Sequence, residues 1–174
     1  MAVRSPIKAS ILATRIIPSV HPGLAQQFSL RPEQRSIAVI TADIDDVPYA
    51  SLDEATKASD VEVVYAHSFY AGSAHASGPL SGEIIGVLAA PDPAEARAGL
   101  EACVSYATEV AWFESANDVD SLTFFAHPIS RTGTYLSKAA GVAPGTPLGY
   151  VIAPPLEATV ALDAALKAAD VASL

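Results

Sequence analysis

Ten residues are written twice in this chain. Leu52 to Val61 reads LDEATKASDV and Leu162 to Val171 reads LDAALKAADV, identical at seven positions. Self-similarity at a long fixed period constrains a fold more than composition does, because each copy must build the same unit. Two further blocks keep the phase. Leu122, Pro128 and Gly133 follow Leu12, Pro18 and Gly23 at the same interval that separates Leu162 from Leu52. Leu148 to Ala153 follows Ile37 to Ala42 at an interval longer by a single position. The pattern predicts two related domains, residues 1–111 and 112–174. In that register residue 174 corresponds to residue 64, so the second unit is expected to be truncated, without a counterpart of residues 65–110. A half-unit leaves sheet edges unpaired and an apolar face uncovered.

Each unit mixes strand and helix signals, which places the chain in the α/β (α+β) class. Ile11 to Ile17 reads as a strand closed by Pro18, and His21-Pro22-Gly23 opens a short helical segment with Leu24 and Phe28 on one face. Arg35 to Ala42 is a β-branched strand that empties into the acidic turn Asp43 to Pro48. Ser51 and Glu54 have capping-box spacing and predict a helix start at Ser51. Val61 to Tyr70 and Glu83 to Ala90 read as strands flanking a glycine-rich loop, residues 71–82. Asp92 as N-cap, Pro93 and Glu95 begin the longest helix, with Leu100, Cys103, Val104, Ala107 and Val110 as its apolar stripe. Arg131 to Tyr135 reads as a turn and helix start. Leu156 to Ala169 is an Ala-rich helix expected to pack closely against a sheet or neighbour.

Charge and cysteine content narrow the function. A net charge of -9 argues against nucleic acid and anionic membrane surfaces, whose binding draws on Lys and Arg. With one cysteine, Cys103, there is no disulfide framework within a chain and no cysteine-based zinc site. The four histidines show no ligand spacing, and no cofactor is implied. The longest apolar run, Ile84 to Ala90, is far shorter than the roughly 20 residues of a spanning helix. No Gly-x-Ser-x-Gly elbow or Walker loop is present.

Asp45, Asp46 and Glu83 are the side chains with chemistry to offer. Asp45 and Asp46 lie in the turn after one strand, and Glu83 opens another after the glycine-rich loop. From the residues alone two readings stand: solvated turn acids, or three carboxylates that converge and attract a primary ammonium or divalent cation. The 71–82 loop likewise has two readings, a gate over an opening or a plain exposed connection.

The helix followed by K-A-A-D-V resembles the signature of bacterial microcompartment shell domains. The resemblance tightens over ITADIDDVPYASLDEATKASDVEVVYAHSFYAGSAH, PAEARAGL, SRTGTYLS and APPLEATVALDAALKAADV, which look like the tandem-domain shell proteins of ethanolamine-utilising microcompartments. It implies two tandem, circularly permuted shell domains, the second incomplete at its C-terminus. It implies further a homotrimer that mimics a hexamer and tiles with other shell proteins into the wall of an organelle in the cytoplasm. No enzymatic activity is implied. Matching positions in the family line a small pore that binds ethanolamine, and these carry over to Asp45, Asp46, Glu83 and an aromatic at Phe113. The alternative from the residues alone is a small-molecule-binding regulatory or enzymatic α/β domain that uses the acidic cluster.

Overall fold

The β-branched runs of the first half alternate between two buried faces, and the fold follows from that alternation. In a computed structural model that describes residues 4–69 and 82–174, β2 (Ile11–Ile17), β3 (Ser36–Ala42), β4 (Glu62–Ser68) and β5 (Ile84–Ala90) form one antiparallel sheet of order β2-β3-β5-β4; β1 is Pro6–Ile7. Ala38, Ile40, Leu88 and Ala90 point to one face and Ile37, Val87 and Ala89 to the other, as a period of two requires. On the first face lie α2 (Asp46–Ala58) and α3 (Pro93–Glu109), which contribute Leu52, Ala55, Ala96, Leu100 and Cys103 to the core. On the second, Leu24 of α1 (Pro22–Gln27) and Phe28 pack against the sheet, the shared face read from their spacing.

Helix α3 starts where its sequence says. The Asp92 carboxylate accepts from the amides of Ala94 and Glu95 at 2.8 and 3.0 Å, and Pro93 occupies the first turn. Glu95 does not reach back to complete a capping box; its carboxylate accepts instead from the Asp60 amide at 2.8 Å and ties α3 to the end of α2. Of the expected stripe, Leu100, Cys103 and Ala107 are buried, whereas Val110 at the C-cap is 47% exposed.

Helix α2 starts five residues earlier than the Ser51–Glu54 spacing predicts. Its first turn carries Val47 and Pro48, both buried, and Pro48 is tolerated there because first-turn amides have no intrahelical acceptor. Ser51 is not a cap: its hydroxyl donates to the Val47 carbonyl at 2.8 Å inside the helix. Burial of Val47 against the second sheet decides the boundary, which no local signal carries.

The second half repeats the order strand, short helix, strand, helix as β7 (Thr123–Ile129), α4 (Thr134–Ala140), β8 (Leu148–Ile152) and α5 (Pro155–Ala168). Its sheet runs β1-β6-β7-β8, β6 being Phe113–Ser115, so the chain's first described strand crosses over to pair with β6 through Ile7 and Phe113. Phe125 of β7 is fully buried among Ala9, Val47, Ala107 and Ala111, a burial that stabilises by about 2 to 3 kcal/mol. Val47 belongs to α2 and Ala107 to α3, so this cluster welds the two sheets together. Helix α5 differs from the expectation of close packing: none of its residues is buried.

Candidate functional site

The end of β3 and the start of β5 are neighbours in the sheet, with Ala42 opposite Ile84. The turn after one and the residue before the other therefore meet. Gly82 makes the approach possible. Its φ is +62°, and a Cβ there would lie 2.0 Å from the Thr41 hydroxyl and 2.8 Å from the Ala42 carbonyl oxygen, so only glycine fits. The next residue, Glu83, is then tied on both sides: its amide donates to the Ala42 carbonyl and its carbonyl accepts from the Phe69 amide, each at 2.7 Å.

Asp43 fixes the opposite wall. Its carboxylate accepts from the Ser10 amide at 2.7 Å while its own amide donates to the Ser10 carbonyl at 3.2 Å. The chain then turns into α2 through Asp45 and Asp46. Phe113 arrives from the second sheet, opposite Ile7 and with its ring centroid 5.3 Å from that of Phe125. The result is a cavity of about 420 Å³ between the two sheets, lined by Asp45, Asp46, Glu83 and Phe113 together with Asp43 and Ser68. The four residues singled out from the sequence thus share one wall-to-wall space. The 71–82 loop lies outside the described residues apart from Gly82.

Electrostatics inside the cavity are uneven. Burial, and secondarily the adjacent Asp45, pushes the Asp46 carboxyl up from 3.8 to about 6. Nearby, the Tyr150 phenol is pushed up to about 12, by burial first and then by Asp46 among its neighbours. Asp46 is thus a half-buried carboxylate that gains from any cation placed beside it. A primary ammonium, with three donors and one positive charge, matches a cluster of acceptor oxygens, and Phe113 and Ile44 supply apolar wall for a short carbon chain.

Sequence reasoning passed over Asp43, Ser68 and Ile7 as lining residues. Asp43 could have been found in the acidic turn it opens. Ser68 and Ile7 carry no local signal; Ser68 is placed by a 2.6 Å hydrogen bond between its hydroxyl and that of Tyr49. Among the described residues no group of three or more His, Cys, Asp and Glu side chains is arranged to hold a metal ion. His127 shares a 2.6 Å hydrogen bond with the Tyr106 hydroxyl, and burial followed by the Lys57 charge lowers its pKa.

No family model matches the chain. Individual proteins do. It is 53% identical over 165 residues to the bacterial microcompartment shell protein EutL of Clostridium perfringens, spanning 95% of this chain and 76% of that one. The chain belongs to the EutL family of microcompartment shell proteins. EutL of Salmonella typhimurium is 52% identical over 165 residues, spanning 95% of this chain and 75% of the relative. The crystal structure of the ethanolamine utilization protein EutL from Leptotrichia buccalis superposes with a TM-score of 0.90 at 55% identity, over 96% of this chain and 77% of that one. The mixed α/β architecture with two sheets is that of a tandem shell-domain protein. These relatives are structural shell proteins, and the chain is a structural shell subunit rather than an enzyme.

Proposed function

We propose that this subunit builds the shell of an ethanolamine-utilisation microcompartment, an organelle in the cytoplasm, and binds ethanolamine in the cavity between its two sheets. Residues 1–111 form the first shell domain and residues 112–174 belong to the second. Three copies associate into a pseudohexameric trimer that tiles with other shell proteins. Its mechanism is selective passage: cavity walls limit size, and the acidic cluster concentrates ammonium-bearing solute without transforming it.

The observation that carries the binding reading is the convergence of Asp45, Asp46 and Glu83 with Phe113 on one cavity of about 420 Å³. The ligand is held in this reading by charge-assisted hydrogen bonds from its ammonium to the carboxylates, with its carbon chain against Phe113. Selective binding to the folded state raises thermal stability by mass action. Ethanolamine at millimolar concentration is therefore expected to raise the melting temperature of the wild type and to lose that effect in Glu83→Gln. An equal shift with ethanol, which lacks the ammonium, or an undiminished shift in Glu83→Gln, would count against this site.

A further inference from the structure

Ethanolamine carries a hydroxyl as well as an ammonium, and carboxylates alone do not tell it from a plain alkylamine of the same length. Among the described residues that line the cavity, Ser68 and Thr123 are the two with neutral hydroxyls. They differ in how they are held. The Ser68 hydroxyl shares a 2.6 Å hydrogen bond with the phenol of Tyr49, whereas among the described residues none holds the Thr123 hydroxyl.

Tyr49 is itself fixed. It stands about one turn along α2 from Asp46, on the same side of the helix. Its ring stacks on that of Tyr135 in α4, with 6.4 Å between centroids and 15° between planes. A phenol is a stronger acid than an aliphatic alcohol, so in this pair Tyr49 donates and Ser68 accepts. The Ser68 hydrogen is then left for a guest in the cavity that the residue lines. One helix thereby governs both ends of a bifunctional guest: Asp46 meets its charge, and Tyr49 orients the donor for its hydroxyl.

We infer that Ser68 selects a hydroxyl-bearing amine by donating to the guest's hydroxyl oxygen, and that Tyr49 is its positioning residue. The inference rests on the cavity-binding reading and deepens it, narrowing the guest from an organic ammonium to a short amino alcohol. The guest's own hydroxyl hydrogen has carboxylate oxygens in the same cavity to donate to, so both hydrogen-bonding roles of an alcohol are met. An alkylamine leaves the Ser68 hydrogen without a partner in the guest, and a polar group desolvated without a partner weakens binding. A hydroxyl oriented before the guest arrives loses less freedom on binding, which favours Ser68 over the unheld Thr123.

Calorimetric titration with ethanolamine and with ethylamine, which lacks the hydroxyl, tests it on the wild type, Ser68→Ala, Tyr49→Phe and Thr123→Val. The wild type is expected to prefer ethanolamine about tenfold, as one well-placed hydrogen bond implies. Ser68→Ala is expected to bring the two amines within about twofold by weakening ethanolamine alone. Unchanged ethylamine binding in that variant shows the cavity intact. Tyr49→Phe is expected to fall between the two, and Thr123→Val to keep the wild-type preference. A preference that survives in Ser68→Ala overturns the inference, as does one lost in Thr123→Val or an equal weakening of both amines in Ser68→Ala. Full wild-type preference in Tyr49→Phe overturns the positioning role of Tyr49. A wild type that binds both amines alike overturns selection and leaves the ammonium site standing. If neither amine binds the wild type, the cavity reading fails and this inference fails with it.

Discussion

The carboxylate of Asp53 and the amide of Gly133, eighty residues apart in sequence, meet at 2.7 Å in a contact closed to solvent. Asp53 also takes the Leu136 amide, and Lys57 stands 3.8 Å away as counter-charge. Removing the carboxylate strands two amides. Asp53→Ala is expected to cost about 3 kcal/mol in urea unfolding. Gly133→Ala presses on the same contact from the other side and is expected to cost about 2 kcal/mol by overpacking. A loss under half of these values in both variants would mean that the halves are held together elsewhere.

Asp46 links folding to pH. Its pKa rises on folding from 3.8 to about 6, so the folded chain holds the proton more tightly than the unfolded one. The associated stability is complete below the lower value and is lost as pH climbs through the upper one. Asp46→Asn is expected to flatten the stability profile across this window and, after allowance for solvent screening of a half-buried group, to gain about 1 kcal/mol at pH 7. Denaturation midpoints at pH 4, 5, 6 and 7 measure it.

The same titration bears on the ligand. A protonated Asp46 offers an ammonium no charge, so ethanolamine is expected to bind more weakly at pH 5 than at pH 7.5, with proton release on binding. Calorimetry in two buffers of different ionisation enthalpy reads that release. Identical affinity at both pH values would remove Asp46 from the binding set.

Gly82 positions Glu83 through a backbone conformation that a side chain strains. With φ at +62° and the Thr41 hydroxyl at 2.0 Å from an added Cβ, Gly82→Ala is expected to cost about 2 kcal/mol and to lower ethanolamine affinity together with stability. Thermal melts with and without ligand separate the two losses.

Cys103 is a built-in reporter. It is fully buried, and burial pushes its thiol up to about 12, which leaves almost no thiolate at neutral pH. Ellman's reagent is expected to label it only in denaturant. Fast labelling of native protein would show that α3 opens readily.

Signals confined to a few neighbouring residues are legible in the sequence alone. Asp92-Pro93 announces the start of α3 and the structure keeps it there. Ser51–Glu54 announces a start equally well, but Val47 and Pro48 bury themselves against other elements and draw the helix back to Asp46. A cap contributes about 1 kcal/mol, and the burial of two apolar side chains outweighs it. Phe113 enters only through resemblance to a family, since its seat opposite Ile7 depends on a strand pairing between residues more than a hundred positions apart.

By itself the sequence determined the repeat, the strands of the first sheet and the kind of chemistry available, because periodicity, capping and charge are properties of short stretches. Tertiary structure decided that Asp45, Asp46, Glu83 and Phe113 line one cavity, that β1 joins the second sheet, and that Asp53 clamps Gly133. It also left α5 bare where its twin α2 is buried. The two helices share Leu52 with Leu162, Asp53 with Asp163, Ala55 with Ala165, Lys57 with Lys167 and Ala58 with Ala168, and the neighbours each one packs against decide whether those shared positions are buried.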